Sequence, residues 1–194
     1  MKSSIAPALL ISAAILLALP GVYAQSIPAA TRAVPSPVDV RAQALEIAKI
    51  RELQQLRRRE EALRAARRAV HKFPENTQLR FLLGVTLSEA GNPQDAIETF
   101  ERLNQDHPEL AEPYNNLAVL HAANGDLDAA RDALVAAIRV APNYPLALQN
   151  LGDVYLRMAE RSYQRAVESK GATVALKRKL TRVRAVVESL TSDP

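Results

Sequence analysis

The chain has no cysteine and no tryptophan, and aromatic residues make up only 4% of it. Without cysteine there are no disulfides, no thiolate metal sites, no cysteine nucleophile and no N-terminal cysteine to acylate. Glycine occurs six times in 194 residues, in no phosphate-cradling loop and in no Gly-x-Ser-x-Gly turn. The three histidines, His71, His107 and His121, show no paired ligand spacing. Glu60 and Glu61 fall on a predicted solvated helix. Nothing supplies a nucleophile or base with its partners, so the expected protein is not an enzyme, holds no cofactor and binds no metal. What remains is alanine and leucine, which dominate a 48% apolar content and suit close-packed helices rather than a sheet.

Charge is unevenly spread. Residues 41–72 hold 10 basic and 4 acidic side chains, residues 73–142 hold 4 and 11, and residues 143–194 hold 9 and 5. An acidic centre therefore lies between two basic ends. A sequence pI near 9.6 would ordinarily suggest nucleic acid as a partner. The N-terminus argues against that. Lys2 precedes an apolar run, Ile5–Leu19, broken only by Ser12 and ended by Pro20-Gly21. Val22-Tyr23-Ala24 places small residues where a signal peptidase reads them, before Gln25. A membrane span needs about 20 apolar residues, and this run is shorter. Residues 1–24 are thus expected to be a cleaved secretory signal peptide and the mature protein to be periplasmic. Its net charge would be 24 − 21 = +3, since Lys2 is the one charge removed.

Residues 25–37 carry Pro28, Pro35 and Pro37 among small residues, without apolar period, and read as a disordered tether. Residues 38–73 contain neither Gly nor Pro; strong helix formers dominate, and Pro74 ends the run. The next segment repeats itself. Leu83-Gly84, Leu87, Gly91, Ala96, Phe100 and Pro108 return 34 residues later as Leu117-Ala118, His121, Gly125, Ala130, Leu134 and Pro142. Each copy predicts a helix, a turn at Gly91-Asn92 or Gly125-Asp126, a second helix and a terminating proline. Gly leaves the first helix through positive φ, and the Asn or Asp after it can cap the second. Gly84 and Ala118 are small so that the second helix can approach, and Ala96 and Ala130 are the small residues that meet them.

This pattern resembles the tetratricopeptide repeat family, with its period of 34 residues. The resemblance implies an all-α fold, an α-α superhelix of about three repeats with an N-terminal helix and a C-terminal capping helix. Residues 77–110 and 111–144 match in full. Residues 38–76 read as a degenerate repeat with Arg57 at the turn glycine's position; one long helix or a coiled coil through Leu56, Leu63 and Val70 are alternatives. Residues 145–171 read as a shortened repeat. Asn150-Leu151-Gly152 and Tyr155 match the first helix, while Ala159, Tyr163 and Ala166 carry the second-helix spacing about five residues early, without the Gly turn. Either the turn is abbreviated, or Asp153–Ser169 is one longer helix. Residues 172–194 form a capping helix and tail, striped by Leu176, Leu180, Val183, Val187 and Leu190.

The resemblance also implies a concave face lined by first-helix residues. Carried over, these are Gln78, Phe81, Val85 and Ser88; Glu112, Asn115, Val119 and Ala122; and Leu146, Gln149, Asp153 and Leu156. The set holds no Lys or Arg, which argues against clamping of a peptide's terminal carboxylate. Asn116 and Asn150 stand where the family often has a structural Asn. The expected function is an exported adaptor that binds a peptide or helix of another envelope protein in this groove. The chain's own basic N-terminal helix could instead fill the groove. Two further alternatives are a self-associating module, joined through the terminal helices, and a protein whose basic ends meet anionic lipid or glycan at a membrane surface.

Overall fold

The chain divides into two units, residues 1–34 and 35–194. The computed structural model describes residues 36–169 and 172–190, all within the second. The expected signal peptide, nearly all of the expected tether and the last four residues lie outside the described residues.

Eight helices make up the described residues: α1 (Pro37–Gln55), α2 (Arg59–Lys72), α3 (Thr77–Glu89), α4 (Pro93–Asp106), α5 (Ala111–Ala123), α6 (Leu127–Val140), α7 (Pro145–Glu168) and α8 (Val174–Ser189). They form a helical solenoid. α1, α3, α5 and α7 lie side by side in one layer, with α2, α4 and α6 in a second layer against them. Among the described helices, α8 packs on α7 alone.

The turns show how local sequence sets the hairpins. After α3, the Gly91 N–H donates to the Ser88 carbonyl and Asn92 N–H to that of Leu87, 3.1 and 2.9 Å. After α5, Gly125 and Asp126 repeat both bonds to Ala122 and His121, at 3.1 and 2.9 Å. This is the Schellman arrangement, and it needs a left-handed residue. Gly91 and Gly125 supply it at φ 80° and 81°. Asp126 then caps α6 by accepting from Ala129 N–H at 3.0 Å, whereas Asn92 makes no such cap and Pro93 starts α4 instead.

The same turn closes the degenerate front repeat. α1 and α2 form a hairpin, so the long-helix and coiled-coil alternatives do not hold. Arg57 N–H donates to Gln54 and Arg58 N–H to Leu53, both at 2.9 Å, with Arg57 at φ 54°. A left-handed backbone costs a side chain roughly 1–2 kcal/mol. Glycine's greater freedom in the unfolded chain offsets part of that. Arg57→Gly is therefore expected to stabilise the protein by about 0.5–1 kcal/mol, read as a higher urea midpoint; an unchanged or lower midpoint contradicts the strained-turn reading.

The third repeat differs. α7 runs unbroken for 24 residues, so the abbreviated turn does not form. The physical reason is local. Asp153–Glu168 contains no Gly or Pro and is rich in Arg, Glu and Ala, so nothing stops the helix.

The core is three clusters strung along the array. Ile50, Leu53, Ala66 and Leu79 anchor the first, Leu87, Ala96 and Phe100 the second, and Ala118, Ala130, Leu134 and Val154 the third. Small residues let the layers close. A Cβ built on Gly84 would lie 2.6 Å from a ring carbon of Phe100, which is fully buried, so Gly84 is met by this ring and not, as its spacing suggested, by Ala96.

Candidate functional site: the inner face of the helix row

The inner face is built from the first helix of each hairpin. α1 does not fill it. Among the described helices, α1 touches only α2 and α3, stacking at the end of the row, so the groove is not occluded by the chain's own N-terminal helix. Side-chain bonds hold it there: Asn76 donates to Gln43 at 2.6 Å and Gln54 to Glu89 at 3.0 Å.

Two depressions lie along the face. The first, of about 400 Å³, spans α1, α3 and α5 and is lined by Arg51, Thr77, Gln78, Phe81, Leu82, Leu110, Glu112 and Pro113. The second, of about 260 Å³, lies between α5 and α7 and includes Val119, Ala122, Asn150, Asp153 and Arg157. The structure thus gathers Gln78, Phe81 and Glu112 into one depression and Val119, Ala122 and Asp153 into the other. Val85, Ser88, Asn115, Leu146, Gln149 and Leu156 line neither.

Their exposure sorts them further. Val119 and Leu146 are half exposed, at 51% and 46%. Gln78, Ser88, Glu112 and Gln149 are exposed. Phe81 is half-buried, its ring tilted against that of Phe100 with centroids 5.7 Å apart, and it lines the first depression. Val85, Ala122, Asp153 and Leu156 are also half-buried. Asn115 is buried, and its amide oxygen accepts from Asn150 Nδ2 at 2.8 Å. That bond ties α5 to α7 and leaves the amide committed within the fold. Asn116 donates to the Glu112 carbonyl of its own helix at 2.9 Å.

The face does carry guanidinium groups. Arg51 stands in the first depression with Glu112, and Arg157 in the second with Asp153. The groove without Lys or Arg is corrected accordingly. Arg51 sits 34 residues before Val85, so extending the repeat count to the degenerate front hairpin would have found it. Arg157 directly follows Leu156, at the repeat position of Ala123, which lines the same depression. Each depression thus pairs one cation and one carboxylate with apolar floor residues. Tyr144, at the start of α7, has its phenol pKa raised, first by burial and then by the Glu112 carboxylate.

Residues 47–111 and 115–170 match the sequence profile of the tetratricopeptide repeat. The chain belongs to the tetratricopeptide repeat family. Among curated relatives it is similar to the photosystem I assembly protein Ycf3 of Prochlorococcus marinus (strain MIT 9211), 27% identical over 90 residues, or 45% of this chain and 52% of that protein. The chain spans about half the length of the curated relatives it matches. Among solved structures it is similar to YrrB, described as a TPR protein with an unusual peptide-binding site, at 27% identity, TM-score 0.53 and 55% of each chain. It shares the fold of TTC0263, a thermophilic TPR protein of Thermus thermophilus, at 22% identity, TM-score 0.56, and 74% of this chain against 82% of that one. A tetratricopeptide repeat solenoid is a protein–protein interaction module. Its inner face, here that of α1, α3, α5 and α7, is the surface to consider first.

Proposed function

We propose that the protein is an exported adaptor whose inner face holds a segment of another envelope protein. The observation that carries this reading is the pair of depressions, each joining apolar side chains to one guanidinium and one carboxylate. Phe81 with Leu110, and Val119 with Ala122, would receive two apolar side chains of an extended segment or short helix. Arg51 and Arg157 would meet its carboxylates, Glu112 and Asp153 its basic groups. The likeness to YrrB supports a peptide as the ligand class. Placement in the periplasm rests on the apolar run Ile5–Leu19 and the small residues before Gln25. Secretion would be tested by fractionation and N-terminal sequencing. Recovery of a mature chain starting at Gln25 supports it, and a cytosolic chain starting at Met1 contradicts it.

The groove is tested by substitution at a site that tolerates it. Val119→Glu places a charge on a half-exposed position and should leave the unfolding free energy within about 0.5 kcal/mol of the parent. Partner capture is expected to fall roughly tenfold or more, the loss typical of an anchor position. Unchanged capture would exclude the inner face as the docking surface. A substitution at Asn115 would not serve, because it would break the α5/α7 joint.

A second reading has its own observation. Lys49, Arg64 and Arg68 rim a depression of about 450 Å³ between α1 and α2, far along the row from Arg157, with Arg58 and Glu61 paired beside them at 2.7 Å. Such a cluster could meet anionic lipid or glycan. Cosedimentation with anionic vesicles at low salt tests it, and its absence there eliminates it.

A further inference from the structure

α7 carries the marks of both helices of a repeat in one continuous rod. Its first half has the first-helix set Leu148, Gly152 and Tyr155; its second half has the second-helix set Ala159, Tyr163 and Ala166. In the complete repeat at 77–110, the first-helix Gly84 meets the second-helix Phe100 across a turn. In α7 there is no turn, and the helix cannot fold back on itself. The first-half set is accordingly left bare. Nothing lies within 4 Å of a Cβ built on Gly152, and Leu148 and Tyr155 are 48% and 50% exposed. A glycine inside an exposed helix only weakens it unless something packs there.

We infer that the missing second helix is supplied by a second copy of this chain, whose α7 packs antiparallel on this one about a two-fold axis. The stripe is self-complementary. Leu148, Gly152, Tyr155, Ala159, Tyr163 and Ala166 follow each other at spacings of four, three, four, four and three, and so lie on one face of the helix. One antiparallel register sets Gly152 against the second copy's Tyr163, Tyr155 against its Ala159, and Leu148 against its Ala166. These are the pairings that Gly84 with Phe100, Leu87 with Ala96 and Arg80 with Leu103 occupy by position in the complete repeat. Two-fold symmetry then forms every contact twice. None of the six residues is charged, so no like charges oppose the contact, although Asp153, Arg157, Glu160 and Arg161 flank the stripe.

α8 packs beside the second half of the stripe, where Ala159, Tyr163 and Ala166 are half-buried, and leaves the first half uncovered. Its Arg184 bonds Glu160 and Gln164 at 3.0 and 2.8 Å, each one residue, or about 100°, round the helix from Ala159 and Tyr163. Its C-terminal end, near Val187, lies beside Arg157 and Glu160, short of Gly152.

The absence of native cysteine makes the test direct. Full-length chains carrying Leu148→Cys are mixed with chains carrying Ala166→Cys and oxidised. The mixed pair is expected to crosslink. Neither variant alone should do so, because like positions stand 18 residues apart in this register, about 27 Å along the paired helices. Sedimentation velocity of the parent should show a dimer, and Gly152→Arg should raise its dissociation constant roughly tenfold or more while helix content by circular dichroism stays that of the parent. A parent that sediments as a monomer at all concentrations, or crosslinking of Leu148→Cys to itself, would overturn the inference. So would a dimer indifferent to Gly152→Arg.

Discussion

Gly84→Ala is expected to destabilise the protein by about 1–3 kcal/mol, although alanine is the better helix former. The added methyl would stand 2.6 and 2.7 Å from two ring carbons of Phe100. Phe100 has no exposed surface and packs among Leu87, Ala96, Ile97, Leu117 and Leu120, so the ring has nowhere to go. The next repeat shows the compensating solution: Ala118 in place of glycine, with Leu134 in place of phenylalanine. The double variant Gly84→Ala with Phe100→Leu should therefore be more stable than the sum of its single effects predicts. Phe100→Leu alone removes buried ring volume and is expected to cost about 1–2 kcal/mol. The coupling between the two sites should reach about 1 kcal/mol in urea unfolding. Strict additivity would show that the small residue at this position does not exist for helix approach.

Asn104→Val is expected to work in the opposite direction, stabilising the fold by about 1–2 kcal/mol. Asn104 lies on α4 and is 7% exposed. Neither its amide nitrogen nor its oxygen has a hydrogen-bond partner. An unpaired buried amide forfeits its hydration for nothing. The residues 34 before and 34 after it are Val70 and Ile138, each packed against its core cluster. A branched apolar side chain therefore already suits this place in the repeat twice over. Differential scanning calorimetry of the variant checks it, with a raised melting temperature expected. A lowered one would mean that the amide does bonded work inside the fold.

The complete repeats are legible because their spacing encodes contacts. A small residue at Gly84 or Ala118, a large one at Phe100 or Leu134, and glycine at the left-handed turn each correspond to one packing or backbone requirement. The front hairpin is ambiguous in sequence because its turn glycine is Arg57. Backbone bonds to Gln54 and Leu53 hold the turn regardless, and hydrogen bonding of that kind leaves no mark on side-chain pattern. α7 misleads in the other direction. Ala159, Tyr163 and Ala166 look like a second helix, but side-chain pattern cannot reverse a chain where no breaker stands between Asp153 and Glu168. At the inner face, the repeat positions locate first-helix residues without giving their depth. Asn115 is buried by Asn150, 35 residues along the chain, and Arg51 comes into the groove from a helix whose repeat character is weak in sequence.

The central claim is that partners meet the inner face of the helix row. A photoreactive residue placed in turn at Val119, half exposed on the inner face, and at Val135, 38% exposed on the outer helix α6, tests it most directly in the native cell. A discrete crosslinked partner is expected from position 119 and none from 135, with the 119 adduct lost when Arg157→Glu is added. Equal capture from both positions, or capture from 135 alone, would contradict it.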